Sequence, residues 1–186
     1  GKGYVGIVVI GHLNGQKIAV KIRRLDSGRN DLFHEAQMLS KANSVNVGPT
    51  LIGASKNFLL MQLINGDLLT SWLTVHREKV LVKRVLSEVL EQCYRLDELG
   101  LDHGEISKAT KHVIIDQNQK PFLVDFETAS VERRVANVSA MCQFFFTGSS
   151  AVRQLLVETL GERNRLDVIG VLRKYKRSIS REDFDD

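Results

Sequence analysis

The sequence is poor in the residues that build special scaffolds. Its two cysteines, Cys93 and Cys142, lie far apart and outside any CxxC or Cys/His cluster, which argues against structural zinc. Cys93 falls on an apolar helical stripe and Cys142 beside Phe144 to Phe146, so buried thiols in a reducing, cytoplasmic setting are expected. No apolar run approaches the length that crosses a bilayer, so no membrane partner is expected. There is no internal repeat, no low-complexity segment and no visible signal peptide. The chain opens with Gly1, inside a glycine-rich stretch, rather than with Met, so further sequence upstream is expected.

What is present suits one ordinary domain or two small lobes sharing a cleft. Of 186 residues, 43% are hydrophobic, enough for a real core, and 26% are charged. The net charge of +4 favours an anionic partner such as a nucleotide or RNA. The basic residues are spread, with denser groups at Arg23–Arg24, Arg133–Arg134 and Arg173–Arg177. These read first as solvated surface.

Residues 1–25 read as strand, turn, strand. Ile7-Val8-Val9-Ile10 is β-rich, Asn14-Gly15 is a hairpin signal, and Lys17 to Ile22 alternates polar with apolar. Leu32, Phe33, Ala36 and Leu39 recur at helical spacing, Gly48-Pro49 stops any helix, and Phe58 to Ile64 is a third strand. From Arg77 to Leu99, the residues Val80, Leu81, Val85, Val89, Cys93 and Leu96 keep a helical stripe that Gly100 ends. Val113-Ile114-Ile115 and Phe122-Leu123-Val124 flank a polar turn and read as a hairpin. Helical stripes follow near Val131–Phe146, Ala151–Leu160 and Leu166–Tyr175, and the polar tail Arg181–Asp186 is expected to fray. Strands first and helices later make an α+β chain, with a strand-rich part at 1–64 and a helical part at 65–186.

Gly1-Lys2-Gly3-Tyr4-Val5-Gly6 is a G-x-G-x-x-G run. A dinucleotide fold needs that motif to open a helix, whereas here a β-rich run follows. A glycine hairpin over phosphates fits better, because absent side chains let backbone N–H groups approach phosphate oxygens; a plain hairpin is the alternative. Lys21, on the second strand, is a candidate phosphate cation, and Glu35, on the next helix, is the carboxylate able to hold it. Asp102-His103-Gly104-Glu105-Ile106-Ser107 opens a polar loop after the long helix. Phe122-Leu123-Val124-Asp125-Phe126-Glu127 places an acid at the end of an apolar strand, where a metal-binding carboxylate belongs. One carboxylate near a hydroxyl and another on Mg²⁺ are the minimum equipment for phosphoryl transfer. Trp72 and Phe144–Phe146 read as core, and His12, His34 and His76 as surface or helix-face residues.

Taken in order, these elements resemble the protein-kinase-like superfamily, nearest to its small archaeal RIO-like branch and the related archaeal Ser/Thr kinases. The likeness runs from Gly1 to about Phe146. Glu35-Ala36-Gln37-Met38-Leu39 with Val47-Gly48-Pro49 is similar to that branch's first helix and its exit, and Phe58 to Gly66 to a kinase strand and hinge. His103-Gly104-Glu105-Ile106-Ser107 resembles His-Gly-Asp-Leu-Ser/Thr, and Asp125-Phe126-Glu127 replaces Asp-Phe-Gly. The resemblance implies a two-lobed fold with a minimal helical lobe. ATP would be held by Gly1, Gly3, Gly6, Lys21, Met61 at the gatekeeper position, and the Gln62 to Ile64 backbone. Glu105 would stand at the catalytic-base position, with Lys21 held by Glu35 and Mg²⁺ on Asp125.

Three departures alter that picture. Glu105 is one methylene longer than Asp. Thr110 stands where an asparagine ligand is usual, and a two-residue insertion at Lys108-Ala109 would bring His112 there instead. Imidazole suits Mg²⁺ poorly, which points to one ion held mainly by Asp125, or to Mn²⁺, or to Lys108 or Lys111 replacing a second metal. Glu127 replaces a flexible glycine. No Ala-Pro-Glu segment follows, Pro49 and Pro121 being the only prolines, which weakens a peptide-docking surface. The implied activity is transfer of the ATP γ-phosphate to a protein Ser or Thr. The alternatives are a nucleotide-binding pseudokinase or scaffold, an ATPase switch on a protein or RNA assembly, and a small-molecule kinase.

Overall fold

Asn14 and Gly15, both at positive φ (50° and 79°), form the tight turn their sequence predicts. They join β1 (Gly6–Leu13) to β2 (Gln16–Arg23), antiparallel, with Leu13 opposite Gln16 and Gly6 opposite Arg23. The computed structural model describes residues 6–24, 26, 30–108, 110–148 and 151–186. After β2 comes α1 (Phe33–Ser44), which buries Glu35, Ala36, Met38, Leu39 and Ala42. β3 (Leu51–Ala54) and β4 (Phe58–Gln62) complete an antiparallel sheet in the order β1-β2-β4-β3.

A second antiparallel sheet is assembled from distant segments: β5 (Gly66–Leu68), β6 (Val113–Asp116) and β7 (Pro121–Leu123). Between β5 and β6 lie α2 (Leu69–Val75) and the twenty-residue α3 (Lys79–Glu98). The apolar stripe of α3 is buried at Val82, Val85, Leu86, Val89, Cys93 and Leu96. Val80, which spacing assigns to that stripe, is exposed in the first turn. Then follow α4 (Asn137–Cys142), one wide helical turn at Gln143–Thr147, α5 (Ala151–Leu160), α6 (Arg165–Ser178) and α7 (Arg181–Asp185). The chain is thus α+β, and one continuous core runs from Met38 to Tyr175, with a smaller cluster of Leu32, Ala36 and Leu59 beside the first sheet. Among the described residues no helix is long and apolar enough to cross a membrane.

Three expectations need correction. The helix read near Val131–Phe146 begins only at Asn137, because Asp102 and Ser130 exchange backbone hydrogen bonds of 2.9 and 2.8 Å. Arg133 then clamps Asp102 and the Thr128 carbonyl, so the intervening chain stays irregular. The tail is also no frayed end. Ser180 caps α7, Asp183 is buried, and Phe184 stacks on Tyr94 at 4.7 Å. Cys142, unlike fully buried Cys93, is half-buried, although its surroundings still push the thiol up to about 12.

Candidate functional site

Alternation along β2 turns Lys21 inward, where it is 4% exposed. Glu35, in the first turn of α1, reaches its ammonium with oxygens at 2.8 and 2.9 Å. The same Nζ lies 3.0 Å from Asp125 Oδ1 and 2.9 Å from Glu127 Oε2, just past β7. One cation therefore gathers three carboxylates from segments up to 106 residues apart. Burial opposes the Lys21 charge, but the Glu35, Asp125 and Glu127 carboxylates outweigh it and hold Lys21 above the ordinary lysine range. One ammonium cannot neutralise all three acids. Burial accordingly pushes Glu35 up to about 7, against the opposing pull of Lys21.

Asp125 takes φ 72°, a left-handed conformation that a non-glycine residue adopts only when its surroundings hold it. Phe126 supplies the hold. Its ring is buried beside Gly48 and Leu39, and a Cβ on Gly48 would stand 2.9 Å from Phe126 Cε2. The His103 ring packs beside it as well, with ring centroids 4.9 Å apart. Three residues past Phe126, His34 of α1 bonds the Ala129 carbonyl at 2.9 Å, tying the helix that carries Glu35 to the segment that carries Glu127.

The loop bearing Glu105 is fixed from below. The backbone N–H of His103 donates to Asn137 Oδ1 at 2.9 Å, and its Nε2 lies 3.2 Å from the Val124 carbonyl. Burial, with His112 adding to it, depresses His103 to about 4, so the ring is neutral. Asn137 in turn is held by Asp97, which accepts from the Asn137 N–H and Nδ2, the Val138 N–H and the Tyr175 hydroxyl at 2.8 to 3.2 Å. Gly104, at φ 86°, passes so close to the Thr128 carbonyl that a Cβ would stand 2.9 Å from it. Glu105 then comes within 3.3 Å of His112 Nε2, while His112 Nδ1 lies 3.8 Å from Asp125 Oδ2.

The sequence-predicted residues Lys21, Glu35, Glu105, His112 and Asp125 are thus brought into one neighbourhood. Gly6 lies against Lys21, and a Cβ there would meet Lys21 Cγ at 2.9 Å. Gly1 and Gly3 lie outside the described residues, as does the Lys108 side chain, and Lys111 is exposed. Met61 is half-buried against the core, and Ile64 is half-buried between β4 and β5. The Gln62 amide, expected to face adenine, donates instead to the Thr50 carbonyl at 2.8 Å, because the β4 edge is already paired there. Sequence reasoning did not foresee Glu127 as a Lys21 partner, nor Asp97, Asn137, Tyr175 and His34 as supports. Only the Glu-for-Gly change at 127 left a visible trace. No family model matches the sequence, and no curated protein matches it significantly.

A divalent cation fits this constellation. Two carboxylate groups on Lys21 remain in charge excess over the single ammonium, and Glu105, His112 and Asp125 each offer a donor within 4.8 Å of the others. A cleft of roughly 590 Å³ beside Asn46, Gln62, Glu88, Arg95 and Lys120 lies elsewhere. Several of its polar groups are already engaged: Arg95 donates to the Val45 and Asn46 carbonyls, Gln92 to the Pro121 carbonyl, and Glu91 pairs with Arg181. The cluster around Lys21 is therefore the candidate site.

Proposed function

We propose that this chain is an ATP-dependent phosphotransferase of atypical, RIO-like protein-kinase type, with residues 1–64 and 65–186 as the two lobes around the cleft. Transfer would go to a Ser or Thr hydroxyl of a protein acceptor. The observation that carries this reading is the convergence of Glu35 and Asp125 on Lys21 Nζ at 2.8 to 3.0 Å, with Glu105 one imidazole away. A lysine held so firmly by Glu35 is an oriented cation for nucleotide phosphates. Asp125 and His112 would hold a divalent ion, which supplies charge neutralisation at the transferred phosphate. Glu105 would accept the acceptor hydroxyl's proton. Phe126, locked against Gly48 and His103, keeps Asp125 in place.

One observation favours a second reading, a module that binds nucleotide without transferring phosphate. Glu127 occupies Lys21 at 2.9 Å, so an incoming phosphate has to compete with a built-in carboxylate. The test is incubation with γ-labelled ATP, Mg²⁺ or Mn²⁺ and a generic protein acceptor, beside Asp125→Ala. Label on protein in the wild type alone supports the kinase. Phosphate release without acceptor labelling points to an ATPase. ATP-dependent thermal stabilisation with neither label nor release leaves the binding module.

A further inference from the structure

We propose that the metal site of this chain is a mixed nitrogen–oxygen site, formed by Asp125 and the Nδ1 of His112, that selects a transition-metal ion such as Mn²⁺ over Mg²⁺. Glu105 serves this site as a positioning residue by orienting the imidazole. The inference rests on the reading above insofar as a metal stands beside Asp125, and it adds which ion and which ligand.

The His112 ring is buried, and its two nitrogens face different acids. Nε2 lies 3.3 Å from Glu105 Oε2 and Nδ1 lies 3.8 Å from Asp125 Oδ2. Nδ1 has no hydrogen-bond partner among the described residues, although it is buried. A neutral imidazole carries one N–H. With that proton on Nε2, facing Glu105 Oε2 at 3.3 Å, Nδ1 is left as the lone-pair nitrogen, 3.8 Å from Asp125 Oδ2. This is the arrangement in which a carboxylate fixes the tautomer of a metal-binding histidine. Two ligands on one ion at roughly 2.0–2.2 Å stand up to about 4.4 Å apart, and the separation of 3.8 Å falls inside that span.

The neighbouring group of acids does not compete for the ion. Glu35, Asp125 and Glu127 also approach one another closely enough to hold a metal, but Lys21 Nζ already fills their centre at 2.8 to 3.0 Å from each. The ion is thereby directed to the His112 side of Asp125. There the donor set includes imidazole nitrogen, which suits transition ions, whereas Mg²⁺ demands oxygen ligands in near-octahedral array.

The test uses the full chain with Mn²⁺ alone, without nucleotide. Electron paramagnetic resonance measures binding and its displacement by Mg²⁺, and spin-echo modulation reads coupling to a histidine nitrogen. We expect nitrogen coupling in the wild type and a Mg²⁺ excess of more than about tenfold to displace Mn²⁺. His112→Asn should keep an oxygen donor, lose the coupling and narrow the preference. Glu105→Ala should weaken Mn²⁺ by roughly 10–100-fold while leaving the coupling visible at saturation. Bound Mn²⁺ without nitrogen coupling in the wild type, or Mg²⁺ displacing it at equal concentration, overturns the proposal, and neither result depends on a variant folding. Phosphoryl transfer assayed on the same samples separates the two readings. Transfer without nitrogen coupling overturns this inference alone, and coupling without transfer supports it while removing the kinase.

Discussion

Replacing Lys21 by Met should destabilise the fold in a strongly pH-dependent way. Met preserves much of the stem volume but removes the ammonium that now touches Glu35, Asp125 and Glu127. Breaking a buried ion pair by deleting one partner costs about 3–5 kcal/mol, because the remaining charge is left without compensation. The charge that matters most is Glu35, which is 5% exposed, while Asp125 and Glu127 are better hydrated. Glu35 is a raised group, at about 7 against an ordinary 4.5. A raised carboxyl contributes its full stability below the unfolded value and loses it as pH climbs through the folded one. Without Lys21 the folded value climbs further, and each additional unit costs about 1.4 kcal/mol at alkaline pH. The loss should therefore be about 3–5 kcal/mol near pH 8 and less than half of that near pH 5.5, where Glu35 is protonated in both proteins. Urea denaturation of wild type and K21M at both pH values measures it. Equal losses at the two pH values would show that the cluster is not governed by the charge on Glu35, and the electrostatic account would fail.

Three further outcomes follow from the same geometry. Gly48→Ala puts a Cβ at φ 80° and 2.9 Å from Phe126, so it should cost about 1–3 kcal/mol in a denaturant melt; a neutral result would mean that Phe126 is free to move aside. Asp97→Ala strips four hydrogen bonds from Asn137, Val138 and Tyr175 and should cost at least about 3 kcal/mol, whereas Tyr175→Phe should cost about 1 kcal/mol. Equal losses from the two substitutions would contradict Asp97 as the hub. His103 is depressed to about 4, so its contribution is complete above its unfolded value of 6.5 and is lost as pH falls from there toward 4. Over that window it amounts to about 3 kcal/mol, and His103→Gln should flatten the acid slope of stability by that much. An unchanged slope would place the acid sensitivity elsewhere.

Much of the framework was legible because it is local. The Asn14-Gly15 turn, the α3 stripe and the β6–β7 hairpin follow from periods and turn residues within a few positions of one another. β5 and α2 left no such trace. A three-residue strand has no period, and Gly66 to Leu68 becomes a strand only because β6, nearly fifty residues later, pairs with it. The late start of α4 was illegible for a related reason: residues 131–136 lose their helical spacing to the distant clamp of Arg133 on Asp102. In the tail, the sequence around Arg181 looks polar enough to fray, yet Phe184 finds Tyr94 and Arg181 finds Glu91 on α3.

The sequence alone determined which chemical groups are available and in what order: a lysine on a strand, a glutamate on the next helix, and acids in two later loops. It also determined the α+β class, since hydrophobic spacing is written into each segment. Only the tertiary structure decided that Lys21 serves three acids and not one, that Gln62 spends its amide on Thr50, and that His112 turns one nitrogen to Glu105 and the other to Asp125. Those outcomes depend on how segments about a hundred residues apart cross, and on positions held to a few tenths of an ångström. A local pattern of apolar and polar residues carries no record of either.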